Sequence, residues 1–271
     1  MYSGTTIRKG SGKIIGTHQK IDRVVRRKLQ PHIPSNIQFP TAREILKFEG
    51  LNGPDGIKKK SPARDEPWHY IDPTNAGDRQ ILDLIRGHEN NLIAALREKN
   101  RERAAFEAAW LAHAITDGLT PAHHFPYEER MEEIRGEELE TRTTFAKKVI
   151  MPGENLREKL VNNWEYWNLK DGLLTAHGFF EFGVAGIAAP LRFEEIHLSS
   201  HDRLRIQRAG GIAPLYMDIV WRIYDLHIYD KFLETSWTNR LALVVKNDLM
   251  PTIIHTVLMS WYYCAWRAAQ K

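Results

Sequence analysis

The chain has 271 residues, 42% of them hydrophobic and 10% aromatic, with a formal net charge of +4 and a single cysteine, Cys264. That apolar content excludes global disorder, the length suits one large domain, and the lone cysteine excludes an internal disulfide or a cysteine-built metal knuckle. The positive excess is local: residues 1–60 hold 13 Lys or Arg against four Asp or Glu. This end is either a solvated basic face or a surface for a phosphate-bearing partner.

Read in chain order, residues 1–20 contain only scattered apolar positions (Ile7, Ile14, Ile15) among Gly, Lys and Ser. There is no continuous apolar run of the signal-peptide kind, so a flexible extension over 1–13 and a cytoplasmic location are expected. Helical periodicity then dominates, and no long alternating pattern appears, which predicts an all-α class and a multi-helix bundle. Helices are expected over 18–30, 41–49, 76–98, 103–117, 137–149, 154–168, 172–189, 212–234 and 236–268. Pro31, Pro34 and Pro40 punctuate the first gap, and residues 50–75 form the longest irregular stretch, with Asp55, His69 and Asp72 inside it. Lys58, Lys59 and Lys60 follow Asp55 and could attract phosphate. Ser199 and Ser200, with His201-Asp202, read as a polar loop. No internal repeat is visible.

Two apolar stretches approach membrane-span length. Residues 172–191 carry His177 and Glu181 in the middle, which suits a helix buried in a bundle rather than one facing lipid. Residues 249–266 lack charge, but Thr252, Thr256, Ser260 and Tyr263 recur at helical spacing. A terminal helix packed on the core is expected there, with no membrane span. Cys264, in the run SWYYCAW, reads as a buried inert thiol.

The segment WLAHAITDGLTPAH, residues 110–123, carries the strongest chemical signal. His113 and Asp117 lie four apart among helix formers, so an imidazole and a carboxylate share one helix face. Gly118 and Pro121 then stop the helix, and the turn can swing His123 back toward the pair. Composition alone, 12 His and 13 Asp, would produce His-x3-Asp-x5-His only about 0.03 times. His177 and Glu181 repeat the four-residue spacing in an apolar run, where an unpaired carboxylate would be costly and coordination would relieve the cost. His69 in PWHYIDP, His18 at the start of a helix with Asp22 four residues on, and Asp55 after Gly53-Pro54 are weaker candidates. With one cysteine, any metal site needs His and carboxylate ligands.

Together these segments, covering about residues 14–183, resemble the zinc-dependent phospholipase C family, which shares its fold and metal site with fungal single-strand-specific nucleases. In chain order that family shows a His near the start of the first helix, an Asp in a long loop, a His in an H-[FY]-x-D-P segment, H-x3-D-x3-P-x-H, and H-x3-[ED]. This sequence offers His18, Asp55, His69 in HYIDP, His113-Asp117-Pro121-His123, and His177-Glu181. The resemblance implies a single helical domain with zinc ions in a cleft. One would be held by His69, His113 and Asp117, with Asp55 as ligand or general base. A second would be held by His123, His177 and Glu181, and His18 with the shared Asp117 would contribute to a third. It also implies phosphodiester hydrolysis, with phospholipid head groups or single-stranded nucleic acid as substrate. Glu181, rather than Asp, at the end of the last motif leans toward the lipase.

Two departures stand out. Family members are usually secreted and begin with a Trp whose amino and carbonyl groups complete the third site, whereas this sequence has Met1 and no Trp before Trp68. The third zinc therefore lacks its usual support, leaving two as the expectation. The 54 positions from His123 to His177 also exceed the family gap, so 124–170 reads as an insertion able to form extra helices and reshape the cleft. A non-catalytic metal-binding scaffold is the alternative to an enzyme. Two other metal readings, a di-iron pair built on Glu66-x2-His69 and Glu194-x2-His197 and a phosphohydrolase built on His201-Asp202, are weaker.

Overall fold

The computed structural model describes residues 1–4, 16–57, 60–66, 68–168 and 172–270, which are mostly helical with no strand among them. Fourteen α-helices follow one another in these residues. They are α1 (Thr17–Leu29), α2 (Ala42–Ile45), α3 (Pro54–Ile57), α4 (Gln80–Arg97), α5 (Arg101–Gly118), α6 (Tyr127–Arg135) and α7 (Phe145–Val149). The second half holds α8 (Leu156–Trp167), α9 (Leu173–Ala188), α10 (Ser200–Ala209), α11 (Ala213–Tyr224), α12 (Ile228–Thr235), α13 (Asn239–Val244) and α14 (Met250–Ala269). The all-α class expected from periodicity is what the chain adopts.

Helix α5 is the axis of the site. Ala104, Ala105, Ala108, Ala109 and Ala112 are buried along it, and small side chains let α4 and α14 approach closely. The hairpin between α4 and α5 turns at Lys99, whose φ of 57 is left-handed, and Asn100 caps α5 by accepting the Arg103 N–H at 3.0 Å. Helix α14 packs against α1, α4, α5 and α10. With the preceding α13 and the π-helical turn Val245–Leu249 it makes a run long and apolar enough, by length and composition, to cross a membrane. Its polar stripe is nonetheless spent inside the protein: the Ser260 hydroxyl donates to Glu89 at 2.8 Å, and Trp261 Nε1 donates to the Ala108 carbonyl at 3.1 Å. Cys264 is fully buried there, and burial pushes its thiol well above the ordinary range, as an inert core cysteine requires.

The structure corrects several expectations. No helix spans 137–149: Gly136, with φ 65, ends the unpredicted α6, and only Phe145–Val149 resumes the helix. The expected 212–234 helix is broken because His227 takes a left-handed φ of 50 between α11 and α12. The stretch after Ser199 is not a loop but α10, started by a reciprocal cap in which the Ser199 hydroxyl oxygen accepts from the Asp202 N–H and Asp202 accepts from the Ser199 N–H. Met1 to Gly4 are buried rather than a loose extension, drawn in by the acids described below; residues 5–15 lie outside the described part. The 124–170 stretch does form helices, and Tyr127, Met131, Ile134, Met151, Tyr166 and Leu173 give it a small core of its own.

Two positions test this packing. A methyl group added to Gly183, in the middle of α9, would fall inside the Trp237 indole, which stacks on Phe180 with ring centroids 5.5 Å apart. Gly183→Ala gains about 1 kcal/mol of helix propensity, but forcing a rigid ring aside costs about 1–3 kcal/mol. A lowered urea midpoint is expected. Glu89, buried between α4 and α14, accepts from the Ile212 N–H (3.1 Å) and Ser260, yet burial outweighs these bonds and lifts its carboxyl from 4.5 to about 7. The folded state thus keeps a proton that the unfolded chain releases. This contribution is complete below pH 4.5 and is lost as pH rises to about 7, on the order of 3 kcal/mol. Glu89→Gln should flatten the pH dependence of stability across that window, read by denaturation at a series of pH values.

Candidate metal centre

The last turns of α5 supply His113 and Asp117 on one face, as their spacing requires. After Gly118 the chain makes a 3₁₀ turn, Pro121–His123, that returns His123 to the same pocket. The His123 Nδ1–H donates to the His69 carbonyl at 2.8 Å, which ties the aromatic loop to this turn. His18 comes from the first turn of α1, Asp55 from α3, and His177 and Glu181 from successive turns of α9.

Asp117, only 1% exposed, is the hub. Its Oδ2 lies 2.5 Å from His69 Nδ1 and 3.1 Å from His113 Nε2; its Oδ1 lies 3.2 Å from His18 Nε2 and 2.6 Å from the Met1 ammonium. Asp55 reaches within 3.8 Å of His113 Nε2. Beside this set, one Glu181 oxygen is 3.1 Å from both His123 Nε2 and His177 Nε2. All eight residues singled out in the sequence therefore meet in one pocket. Asp55, His69, His113 and Asp117 form one group able to hold a metal ion, and His123, His177 and Glu181 form another. Side-chain exposure of 18% at Asp55, 12% at His177 and 15% at Glu181 marks the edge facing solvent. The rings of Tyr70 and Tyr127 stack 5.5 Å apart and flank His123 and His177.

The electrostatics are those of a buried anionic hub that recruits positive charge. Burial opposes ionisation of Asp117, but the Met1 ammonium and the imidazoles of His113, His123 and His18 hold its carboxyl well below the ordinary range. Glu181 behaves likewise, against burial, through Met1 and its two histidines. Burial, then the Met1 ammonium, lowers His123 to about 3, so this imidazole is neutral, the form that ligates metals. His113 goes the other way: despite burial, Asp117 and Asp55 raise it to about 10.

Comparison with known proteins finds no matching family model, and neither a curated protein nor a solved structure matches. The pocket has to be read from its own chemistry.

Two acids escaped the sequence reading of the site. Glu49 and Asp22 are buried behind His18 and His113, and His18, Glu49 and His113 form a third group of potential ligands. Burial, and then the neighbouring Glu49, push the Asp22 carboxyl well above its ordinary value. The four-residue spacing from His18 to Asp22 was a usable signal for one; Glu49, in FEGLNG, carries no spacing signal at all. Three of the remaining histidines have ordinary acidic partners. His88 pairs with Glu107 at 2.6 Å, His255 with Asp202 at 3.3 Å and His227 with Asp230 at 3.0 Å. Glu66 meets Lys148 and Glu194 meets Arg27 and Lys28, which leaves no di-iron pair. Of the basic run after Asp55, Lys60 donates to the Leu51 carbonyl at 2.9 Å, while Lys58 and Lys59 lie outside the described residues.

Asp117→Asn keeps the shape but removes the charge on which His18, His69, His113 and the Met1 ammonium converge. Breaking a buried ion pair from one side costs about 3–5 kcal/mol. Denaturation in chelator should register that loss, and metal analysis of the refolded variant should find its uptake abolished.

Proposed function

We propose that the protein is a zinc-dependent phosphodiesterase of the phospholipase C type. The observation that carries the reading is the convergence of His18, Asp55, His69, His113, Asp117, His123, His177 and Glu181, from five separated segments in the family's order, around one buried carboxylate. The donor set fits zinc, being imidazoles and carboxylates without sulfur. Zinc, when bound, would neutralise the phosphate and acidify a water molecule. His69, His113 and Asp117 would hold one ion, and His123, His177 and Glu181 another. A third would draw on His18 and Asp117, with the Met1 amino group and carbonyl, which lies 2.8 Å from His18 Nε2, offering the backbone atoms the family takes from a Trp. Those atoms are main-chain, so the absence of an indole does not remove them.

Asp55, the most exposed acid of the set, is the general base: its carboxylate accepts a proton from the attacking water. Tyr70 and Tyr127 wall the opening and orient what enters. A lipid substrate is favoured by exposed apolar side chains on α8 and on α9, the helix that also carries His177 and Glu181. On α8, which packs against α9, Leu156, Leu160, Trp164 and Trp167 are exposed, Trp164 by 70%, and Phe179 and Phe182 of α9 are exposed as well. Trp and Leu side chains in such a row suit the interface of a bilayer or micelle.

The second reading is a metal-binding or metal-free helical scaffold. The Met1 ammonium favours it, because at 2.6 Å from Asp117 and 3.1 Å from Glu181 it already supplies a positive charge to both acids.

Elemental analysis separates the two: two or more zinc ions per chain are expected, and one or none supports the scaffold. The loaded protein should hydrolyse a chromogenic phosphocholine ester; inactivity on that ester and on single-stranded DNA, with zinc present, would overturn the enzymatic reading. Asp55→Asn should retain zinc while kcat falls about 10²–10⁴-fold. Replacing Leu160 and Trp164 by Ser should slow hydrolysis of phospholipid vesicles and leave the soluble ester unaffected.

A further inference from the structure

The rings of His18 and His113 lie face to face, 3.8 Å apart and within 5° of parallel. Both turn Nε2 toward Asp117, at 3.2 and 3.1 Å. Their Nδ1 atoms therefore point the other way, away from the cluster that receives metal. What waits behind them is acid. Glu49 Oε2 is 3.6 Å from His113 Nδ1, and one nitrogen of each ring with one Glu49 oxygen lie within 4.8 Å of one another. Both Glu49 oxygens, Asp22 Oδ2, His18 Nδ1 and His113 Nδ1 are all buried without a hydrogen-bond partner. Asp22 stands one helical turn after His18 on α1.

The two Nδ1 atoms and the two Glu49 oxygens are thus potential donors and acceptors shut away from water on the same side of the rings, with Asp22 a further buried acid near Glu49. An imidazole that ligates through Nε2 must carry its proton on Nδ1, and a buried N–H needs an acceptor. His123 solves this with the His69 carbonyl at 2.8 Å. No carbonyl does so for His18 or His113 among the described residues.

We infer that Glu49, assisted by Asp22, is the positioning residue of the metal centre, accepting the Nδ1–H of His113 and of His18 and so holding both rings with Nε2 toward the ion. This rests on the metal-centre part of the reading above and not on the phosphodiesterase part. A metal on the Glu49 side is the competing assignment for the same atoms. It would leave each ring coordinated at both nitrogens, which demands loss of both ring protons, a far costlier state than one hydrogen bond each. Carboxylates behind metal-binding imidazoles typically raise metal affinity 10–100-fold.

The test is zinc affinity, by competition with a chromophoric chelator, for wild type, Glu49→Gln, Glu49→Ala and Asp22→Asn. Glu49→Ala is expected to weaken binding 10–100-fold, and Glu49→Gln, whose amide oxygen still accepts one N–H, to lose less, with wild-type stoichiometry in both. Nitrogen-15 NMR of the zinc-loaded wild type should show His18 and His113 protonated at Nδ1, a readout that does not depend on any variant folding. Protonation at Nε2 in either ring, unchanged zinc affinity in both Glu49 variants, or a drop of one whole ion per chain would overturn the assignment. A wild-type protein that takes up no divalent cation would instead overturn the metal-centre reading on which it rests.

Discussion

A carboxylate with 1% of its surface exposed cannot stay ionised unless the protein surrounds it with positive charge, and Asp117 is such a carboxylate. Around it the fold gathers the Met1 ammonium and His113, whose pKa is raised, together with the imidazoles of His18, His69 and His123, from the chain start, α1, the aromatic loop, α5 and the turn after α5. Local sequence preference brings only His113 and His123 to Asp117; the others come from afar. Each contributor is far along the chain from most of the others, so the burial of one charge constrains the relative placement of helices that share little else.

The helical body explains how that placement is held. Alanines along α5 allow α4 and α14 to close on it, and α14 spends its polar side chains on Glu89 and on backbone carbonyls rather than on solvent or lipid. Helix α9 is locked by the Phe180–Trp237 stack beside Gly183, which fixes the turn carrying His177 and Glu181. The 124–170 segment contributes most of a second small core and presents Tyr127 to His177 without itself entering the ligand set.

Chemically the pocket has two layers. The inner one gathers Nε2 atoms and acid oxygens around Asp117 and Glu181; on the other side of His113, Glu49 faces Nδ1, with Asp22 as a second buried acid near it. The asymmetry in the histidines follows from position. His123 lies next to the Met1 ammonium and is kept neutral, while His113 lies between Asp117 and Asp55 and is kept charged in the absence of an ion.

Much of this was legible beforehand. The helical class followed from period, the stop after α5 from Gly118 and Pro121, and the pairs His113/Asp117 and His177/Glu181 from helix geometry, which makes residues four apart neighbours; His18, Asp55 and His69 joined them only through the family resemblance. Boundaries failed where a single backbone conformation decides them: the left-handed His227 and Gly136 and the Ser199–Asp202 cap are local choices that periodicity does not record. Glu49 and the burial of Met1 were decided by tertiary structure alone, and Asp22, four residues after His18, gained its place beside Glu49 only there. Their roles come from through-space charge and hydrogen-bond balance between segments distant in sequence, and that balance exists only once α1, α5 and the loop before α3 are packed together.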